Sequence, residues 1–503
     1  MLEIFISILF GLLTLFLVSL FNQNFIKNRK HLAPGPLRLP IFGNLLQIAW
    51  INSKEPHVAL SKLAEVHGNI MSIQLGSVYS VCLNSFEVMD EYLTKHEFSD
   101  RYFNAWIGER SFHKRVGLVF ANYPHPFNQI RRFCLKNLKD LGFGKREKMH
   151  SFIQAELVDL VNELKSSVKK NNGIHTFNNF FNLPSLNIVW SMLAGTRFEQ
   201  NDPKMLKLVK MVEDFAASLS LANGVLLAFP EWKDWFPNLT GMSTQRKCFK
   251  ETNDFFQEFI NERKALGIYK TCPENLVDNF LREMDAGMAD SENVFTEQTL
   301  VTIMSDFFMA GSETANSTLS WFVLYLILNP KVQSKLQKEV DLLVPKGTLP
   351  DAELEPKMHY VRATLAETHR MASVVLLGIP RATTEDMICG TFLVPKGTNV
   401  IANLHGIHYD KSYWKDPENF RPERFLDENG NFKNDPRLRP FGFGKRACPG
   451  EPLAQISLIH FITVLVQNFT FLPVPDEPLP SMDPVCGVTN FPQVYRALVK
   501  CRC

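Results

Sequence analysis

The sequence PFGFGKRACPG, residues 440–450, determines how the rest of the chain is interpreted. A single cysteine, Cys448, follows a loop with two glycines, and an apolar helical pattern begins at about Leu453. Glycine lets a backbone approach a bulky group closely. The helix after Cys448 points the positive end of its dipole at the sulfur, which favours the thiolate. A thiolate in such a loop is suited to bind haem iron as an axial ligand.

Five positions of this stretch carry a family resemblance. The pattern Phe441-x-x-Gly444-x-Arg446-x-Cys448-x-Gly450 resembles the haem-binding loop of the cytochrome P-450 family at all five positions. The resemblance implies protohaem (haem b) as cofactor and Cys448 as the ligand of its iron. It also implies that Phe441, Gly444, Arg446 and Gly450 help to bind the cofactor. Without this pattern, a buried structural cysteine would be the simpler interpretation.

Composition narrows the class of protein. The 503 residues carry a formal net charge of +2, which gives no support for nucleic acid as a partner. The 41 phenylalanines suit a large apolar interior or an apolar pocket. The nine cysteines are scattered, and no two form a CxxC pair. This argues against a disulfide framework and a structural zinc site, and it fits a reducing compartment.

Residues 1–21 predict a transmembrane anchor. The stretch from Leu2 to Phe21 is apolar apart from Glu3 and a few small polar residues, and about 20 such residues suffice to span a bilayer. No cleavage site of the A-x-A type follows, so we expect the segment to be retained; a cleaved signal peptide is the competing interpretation. Basic residues follow the span, and the positive-inside rule places them in the cytosol: Lys27, Arg29 and Lys30.

Residues 22–40 predict a basic, proline-rich hinge, and residues 41–503 the catalytic domain. Pro34, Pro36 and Pro40 make this connector stiff and non-helical. The stretch from Leu39 to Asn44 resembles the hinge of membrane-bound members of the family. The resemblance implies a single-pass protein of the endoplasmic reticulum membrane with a cytosolic catalytic domain.

Residues 298–328 predict a long buried helix, because the stretch is apolar over most of its surface. It contains Ala310-Gly311-Ser312-Glu313-Thr314. A buried acid and hydroxyl are costly, as is a glycine within a helix. The stretch resembles the family's oxygen-activating motif, which implies that Thr314 hydrogen-bonds oxygen at the iron, that Glu313 relays protons, and that Ala310 and Gly311 leave room above the iron. The alternative is a kinked helix with a capping hydroxyl.

Two further motifs resemble the family. Glu367 and Arg370 share a helix face, and the resemblance implies that Arg424 joins them in a buried charged triad that serves folding and haem retention. Arg131 and Arg381 are implied partners of the haem propionates. The family usually has Trp where this chain has Phe127, so one N–H donor is missing. A solvated helix face is the alternative for Arg131.

The predicted fold is therefore mainly α with small β-sheets: a cytochrome P-450 fold preceded by a transmembrane helix. The resemblance implies a monooxygenase that inserts one oxygen atom of O₂ into a lipophilic small molecule. No flavin or nicotinamide fingerprint is present, so electrons from NADPH would arrive through NADPH–cytochrome P-450 reductase, with cytochrome b5 as a further candidate donor. Candidates for a docking face, with scattered surface charge as the alternative, are Lys136, Lys139, Lys445 and Arg132.

The substrate pocket is less well defined by sequence. In this family, the irregular aromatic region that contains Trp106, Ile107 and Phe112 covers the substrate side of the haem, so these residues are candidates for its lining. Residues 374–377 are expected to face the substrate. The apolar stretch from Val225 to Leu239 predicts a membrane contact or an entrance for apolar substrates, with ordinary core as the alternative.

Residues 111–117 and 141–144 resemble the insect branch of the group that contains the drug-metabolising family-two enzymes. That branch includes farnesoate epoxidases, ecdysteroid hydroxylases and detoxifying enzymes. One hypothesis is therefore epoxidation of farnesoic acid or methyl farnesoate in juvenile hormone biosynthesis, with hydroxylation of an ecdysteroid or xenobiotic as the alternative. A haem-thiolate isomerase or dehydratase and a non-catalytic haem sensor are rival classes, and the Glu313–Thr314 pair disfavours both.

Overall fold

The computed structural model describes residues 6–16, 18, 31–140, 146–177, 179–199, 202–211, 225–287, 293–351 and 353–502. Helices dominate, as predicted. Besides helical residues 6–16 and 203–211, the longer helices are Leu45–Asn52, Pro56–His67, Phe86–Leu93, Phe127–Asp140, Arg146–Lys170, Asn182–Ala194, Met242–Leu266, Leu276–Ala286, Glu297–Leu328, Pro330–Leu343, His359–Ala372 and Glu451–Asn468. Helices of four or five residues are Ala105–Gly108, Val225–Ala228, Trp232–Trp235, Leu404–His408 and Lys411–Trp414.

The helix Glu297–Leu328, called the long helix below, crosses the core. It begins where the Thr296 side chain accepts a hydrogen bond from the Thr299 backbone N–H, and it ends at Asn329, before Pro330. It packs against Asn182–Ala194 and Met242–Leu266, and against the C-terminal helix Glu451–Asn468. Most of its apolar residues are buried, as the sequence pattern predicts, and the less buried ones include Phe307, Ala310 and Ala315.

Short strands form four small sheets in the described part of the chain. The largest has five strands in the order Ile70–Leu75, Val78–Leu83, Asn399–Ala402, Arg381–Ala382 and Asp100–Arg101. A second sheet joins Ile174–Phe177, Tyr495–Cys501 and Phe469–Leu472. Two hairpins complete the set: Met387–Cys389 with Phe392–Val394, and Pro484–Cys486 with Asn490–Pro492. The last is called the C-terminal hairpin below.

The sequence pattern predicts a helix from Pro56 to His67, a hairpin of Met71–Leu75 with Tyr79–Leu83, and a turn at residues 394–398, and the structure confirms them. The helix expected from Pro56 to His67 has those bounds, and the hairpin expected after it pairs Ile70–Leu75 with Val78–Leu83. The predicted turn at residues 394–398 connects two strands.

The predicted anchor lies only partly within the described residues. Residues 6–16 are helical, with apolar side chains that are largely exposed; residues 1–5, 17, 19–21 and the first part of the hinge, 22–30, fall outside. Within the described ranges, no helix has the length and hydropathy needed to cross a bilayer. The membrane-spanning part of the fold prediction is therefore not confirmed.

Candidate active site

One cavity of about 330 Å³ brings the predicted motifs together, and this volume is typical of ligand pockets. Cys448 from the cysteine loop (residues 440–450) and Thr314 from the long helix both line it. Between them the wall is mostly apolar, with Leu118, Val119, Phe307, Val374, Val375 and Ile379 among the lining residues.

The cysteine loop presents the sulfur at the start of a helix. A 3₁₀ turn, Gly444–Arg446, precedes Cys448, whose backbone N–H donates to the Phe441 carbonyl (2.9 Å). The side chain is accessible from the cavity. Burial raises the pKa of the Cys448 thiol, and the backbone N–H groups of Gly450 and Glu451 at the helix start act to lower it. The start of the helix therefore acts to lower the pKa of the thiol, as predicted, but burial raises this pKa by more.

Gly444 is required by the loop geometry. Its φ is +59°, and a Cβ there would lie 2.5 Å from the carbonyl oxygen of Leu93. No other residue type fits without backbone movement. A Cβ at Gly450 would only reach ordinary contact with the Cys448 sulfur, at 3.7 Å, so no comparable constraint applies at that position.

Four guanidinium groups gather at the same cavity, and we call them the arginine cluster: Arg101, Arg131, Arg381 and Arg446. Sequence reasoning found the last three and missed the first. Arg101 and Arg381 are register partners on adjacent antiparallel strands, which places them side by side on one face of the sheet. Arg131 donates to the carbonyl of Ala447 in the cysteine loop (2.9 Å). Sequence reasoning missed Arg101 because it is an isolated arginine in a two-residue strand, which has no recognisable sequence pattern.

Burial lowers the pKa of Arg446 to about 9 and that of Arg381 to about 10. Burial also lowers the pKa of Arg101, and repulsion from the other three guanidinium groups lowers it further. Asp100 offsets part of this charge, at 4.0 Å from Arg446, but it also pairs with Arg115 at 2.8 Å. The cavity wall therefore carries excess positive charge.

These residues fit the cofactor that the sequence implied. A thiol that can ligate iron, an apolar wall and a cluster of buried cations suit a flat apolar ring that carries two carboxylates. Backbone carbonyls accept several of the guanidinium hydrogen bonds; for example, Arg446 donates to Ser99 (2.7 Å) and Ala121 (2.6 Å). These bonds fix the positions of the cations, and Asp100 compensates only part of their charge.

Glu313 and Thr314 point in different directions. The Thr314 hydroxyl donates to the Ala310 carbonyl (2.7 Å) and lines the cavity. The Glu313 carboxylate accepts a hydrogen bond from the Thr489 hydroxyl of the C-terminal hairpin, at 3.4 Å. Burial raises the pKa of Glu313 to about 7. A carboxyl group with this pKa exists in both protonation states at neutral pH, as a proton carrier requires.

Gly311 has a packing role as well as a place in the cavity wall. A Cβ at this position would lie 2.4 Å from Cγ2 of Val189, on the helix Asn182–Ala194. The missing side chain therefore lets the two helices approach closely. Both Ala310 and Gly311 line the cavity.

The predicted charged triad is present and buried. Glu367 accepts from Arg370 Nε (2.7 Å) and from Arg424 Nε (3.2 Å), and its residue is fully buried. Arg370 also donates to the backbone carbonyls of His408 and Pro417, at 3.0 and 2.8 Å. The triad thus ties the helix His359–Ala372 to the segment before the cysteine loop.

A second residue that sequence reasoning missed is Asp306 of the long helix. Its buried carboxylate accepts the backbone N–H groups of Leu118 (2.7 Å) and Val119 (3.0 Å) and pairs with Arg110. It fixes a segment that lines the cavity. An acid in an otherwise apolar helix was the available signal.

One expectation about the pocket is corrected. Trp106, Ile107 and Phe112 are not among the residues that line the cavity. Trp106 instead packs in a separate cluster with Leu226 and Met242, and its indole N–H donates to Gln245 (2.9 Å). Its partners come from distant parts of the chain, which the local sequence could not indicate.

Comparison with known proteins settles the family. The family model described as cytochrome P-450 matches residues 33–498. The chain belongs to the cytochrome P-450 family. The mainly helical fold with small sheets agrees with this assignment, and membership implies haem and monooxygenase chemistry of the oxidoreductase class.

Three relatives cover nearly the whole chain. Farnesoate epoxidase of Bombyx mori is 30% identical over 93% of this chain and 94% of its own length. Cytochrome P-450 2L1 of Panulirus argus is 32% identical, with 94% and 96% covered. Vitamin D(3) 25-hydroxylase of Sus scrofa is 33% identical, with 92% and 91% covered. The predicted likeness to insect and family-two enzymes is confirmed, and these similar identities do not select one substrate.

Proposed function

We propose that this cytochrome P-450 binds haem b through Cys448 and inserts one oxygen atom into a lipophilic small molecule. When bound, the haem would supply the activation of O₂. The observation that carries the proposal is the single cavity shared by Cys448, the arginine cluster and Thr314. Phe441, Gly444 and Gly450 would shape the loop around the cofactor, and the arginine cluster would hold its two carboxylates.

Glu313 and Thr314 are the proposed catalytic pair. Thr314 presents its hydroxyl to the cavity, and Glu313, the adjacent residue, can carry a proton near neutral pH. Together they would deliver protons to the reacting oxygen while the apolar wall limits water. This arrangement favours a monooxygenase over a non-catalytic haem sensor.

The proposed electron donor is NADPH–cytochrome P-450 reductase, with cytochrome b5 as a second donor. Arg132, Lys136 and Lys139 are exposed on the helix Phe127–Asp140. The bond from Arg131 to Ala447 joins that helix to the cysteine loop, where Lys445 is also exposed. These exposed cations therefore lie on two segments that are joined, and a basic surface there would suit an acidic partner. Lys139→Glu should raise the reductase concentration needed for half-maximal turnover and leave the haem spectrum unchanged.

The proposed substrate is a sesquiterpenoid, farnesoic acid or methyl farnesoate, which would be epoxidised. The apolar cavity wall and the likeness to farnesoate epoxidase support it. The similar identity to vitamin D(3) 25-hydroxylase supports a hydroxylase of ecdysteroids or xenobiotics as the second candidate. Product analysis with methyl farnesoate, farnesoic acid and a steroid, in the presence of reductase, separates the two.

The proposed location is the endoplasmic reticulum membrane, with residues 1–21 as anchor, 22–40 as hinge and the domain in the cytosol. Exposed apolar side chains support it: Leu37, Trp50, Trp235 and Leu239. The two segments that carry them meet where Phe42 packs edge-on against Phe229 (6.3 Å) and the Ser77 N–H donates to the Ala228 carbonyl (2.9 Å). Exposed apolar side chains on adjoining segments suit a bilayer. Loss of membrane association in a chain that begins at residue 31 would support the anchor.

The first test is a carbon monoxide difference spectrum of the reduced protein, for wild type and Cys448→Ser. We expect the long-wavelength Soret band of a thiolate-bound haem in the wild type and its loss in the variant. A folded, haem-loaded wild type without this band would show that Cys448 is not the ligand, and the proposed chemistry would be wrong.

A further inference from the structure

The C-terminal hairpin is fixed to the long helix at Asn490. The Asn490 carbonyl accepts from Ser317 Oγ (2.6 Å) and from Trp321 Nε1 (2.8 Å). Its side-chain Nδ2 donates to the Ala372 carbonyl (2.7 Å), and its backbone N–H donates to the Val374 carbonyl (2.8 Å). Two of these hydrogen bonds join the hairpin to the long helix, and the other two join it to residues 372 and 374, so one buried residue holds the hairpin in a defined position.

This attachment brings the neighbouring residue, Thr489, to Glu313. Ser317 lies four residues after Glu313, so the two side chains project from the same face of the long helix. With Asn490 held at Ser317, the Thr489 hydroxyl reaches the Glu313 carboxylate at 3.4 Å. Thr489 itself is 7% exposed, although its neighbour Val488 is 51% exposed at the hairpin turn. Glu313 therefore contacts a hairpin whose turn reaches the surface, and its neighbour in the chain, Thr314, lines the cavity.

The contact between Thr489 and Glu313 is a loose one. A hydroxyl usually donates to a carboxylate at about 2.5–3.0 Å. At 3.4 Å the hydroxyl therefore holds the carboxyl group more weakly than a normal hydrogen bond would. A group that accepts a proton and passes it on must be positioned without being held rigidly.

Among the described residues, Thr489 is the side chain that acts on the carboxyl group of Glu313. Burial raises the pKa of Glu313, the Thr489 hydroxyl acts to lower it, and no charged side chain of the described residues contributes. The titratable group on the same hairpin is Cys486, and burial raises the pKa of its thiol to about 12. Cys486 is therefore neutral over the working range of pH.

We propose that Thr489 is a positioning residue for Glu313, holding its carboxyl group between the surface turn and Thr314 so that protons reach the cavity. This inference rests on the proposed function, in which Glu313 supplies protons. Proton delivery would then depend on the attachment of the hairpin at Asn490, because this attachment places Thr489 beside Glu313.

The test compares wild type, Thr489→Val and Thr489→Ser as full-length, haem-loaded enzymes. Infrared difference spectra against Glu313→Gln assign the Glu313 carboxyl stretch, which is titrated with pH. Because the Thr489 hydroxyl stabilises the carboxylate, Thr489→Val should shift the midpoint upward, and Thr489→Ser should restore it. With methyl farnesoate, NADPH and reductase, the valine variant should release a larger share of its electrons as hydrogen peroxide.

The control is Thr348→Val, which removes a hydroxyl from an exposed turn outside the cavity. It should match wild type in both measurements. A wild-type midpoint and wild-type peroxide fraction in Thr489→Val would overturn the inference; Thr489→Ala repeats the comparison if the valine variant does not fold. If wild type forms no product from any substrate, the proposed function fails, and the infrared midpoint still decides whether Thr489 sets the state of Glu313.

Discussion

The guanidinium carbon of Arg446 lies 3.5 Å from the centre of the Phe127 ring. Arg131 approaches the same ring, at 5.8 Å, so Phe127 contacts two members of the arginine cluster. The ring is buried, and a desolvated cation–π contact contributes about 2 kcal/mol. Although this chain lacks the tryptophan usual in the family, Phe127 still offers an aromatic face to the cations of the site.

The contact predicts how substitutions of Phe127 behave. Phe127→Leu keeps an apolar side chain but removes the ring face, so unfolding by guanidinium should show a loss of about 2 kcal/mol. Haem bound per chain should also fall. Phe127→Trp, which keeps a ring and adds an N–H donor, is the matched control and should retain haem. Wild-type stability in the leucine variant would argue against the cation–π contact.

Because Arg101 lies in the arginine cluster, we predict that it helps to retain haem and that the other three arginines do not replace it. Arg101→Met removes one cation while keeping most of the apolar stem. If Arg101 contributes a charge-assisted hydrogen bond to a carboxylate, haem should transfer to an acceptor protein at least about tenfold faster. Arg132→Met, on the exposed side of the helix Phe127–Asp140, should transfer haem at the wild-type rate. Equal rates of haem transfer in the two variants would show that Arg101 does not help to hold the cofactor.

Gly311→Ala tests the close approach of two helices. The added methyl group would collide with Val189, whose β-branched side chain has few alternative rotamers. We expect a destabilisation of about 1–3 kcal/mol. Because Val189→Ala removes the colliding atoms, the double variant should be more stable than the sum of the single effects predicts. Additive effects in thermal unfolding would contradict this account.

Glu367→Gln tests the buried triad. The variant leaves Arg370 buried without its counter-charge, while Arg424 keeps Asp416 at 2.8 Å. Breaking a buried pair in this way costs about 3–5 kcal/mol in comparable cases. Glu423→Gln is the control, because Glu423 pairs with the exposed Lys335 (2.7 Å), and such pairs contribute about 0–1 kcal/mol. Soluble, haem-loaded yield and urea unfolding provide the measurements. Similar losses of stability in the two variants would show that the burial of the triad does not determine the cost of removing its carboxylate.

The pKa of Glu313 predicts a pH-dependent stability. Since burial raises it from 4.5 to about 7, the folded state binds the proton more tightly than the unfolded state. The contribution of this tighter proton binding to the free energy of unfolding is therefore fully present below about pH 4.5, and it is lost as the pH rises through 7. Between pH 5 and 8, wild type should lose on the order of 3 kcal/mol relative to Glu313→Gln. A constant difference across this range in denaturant unfolding would contradict the raised pKa.

Much of the fold could be predicted because its signals are local. The long helix shows a continuous apolar pattern with clear ends, and the paired strands from Ile70 to Leu83 alternate as half-buried strands do. The cysteine loop is a fixed pattern of glycines around Cys448. These features depend on residues that are close together in the chain.

Other parts of the site could not be predicted from local sequence. Arg101 joins the arginine cluster because its strand pairs with the strand of Arg381, 280 positions later in the chain. Trp106 was expected in the pocket, but its contacts with Leu226 and Met242 place it elsewhere. Thr489 meets Glu313 only because Asn490 fixes the hairpin to the long helix.

The sequence by itself determined the helical class, the cysteine loop and the acid–threonine pair, since each is encoded by spacing within one segment. The tertiary structure decided which cations surround the cavity, which helix requires Gly311 to be small, and which hydroxyl meets Glu313. These outcomes depend on distant segments that come together when the core forms. Charge repulsion, close packing and hydrogen bonding act between neighbours in space, and only folding determines which residues those neighbours are.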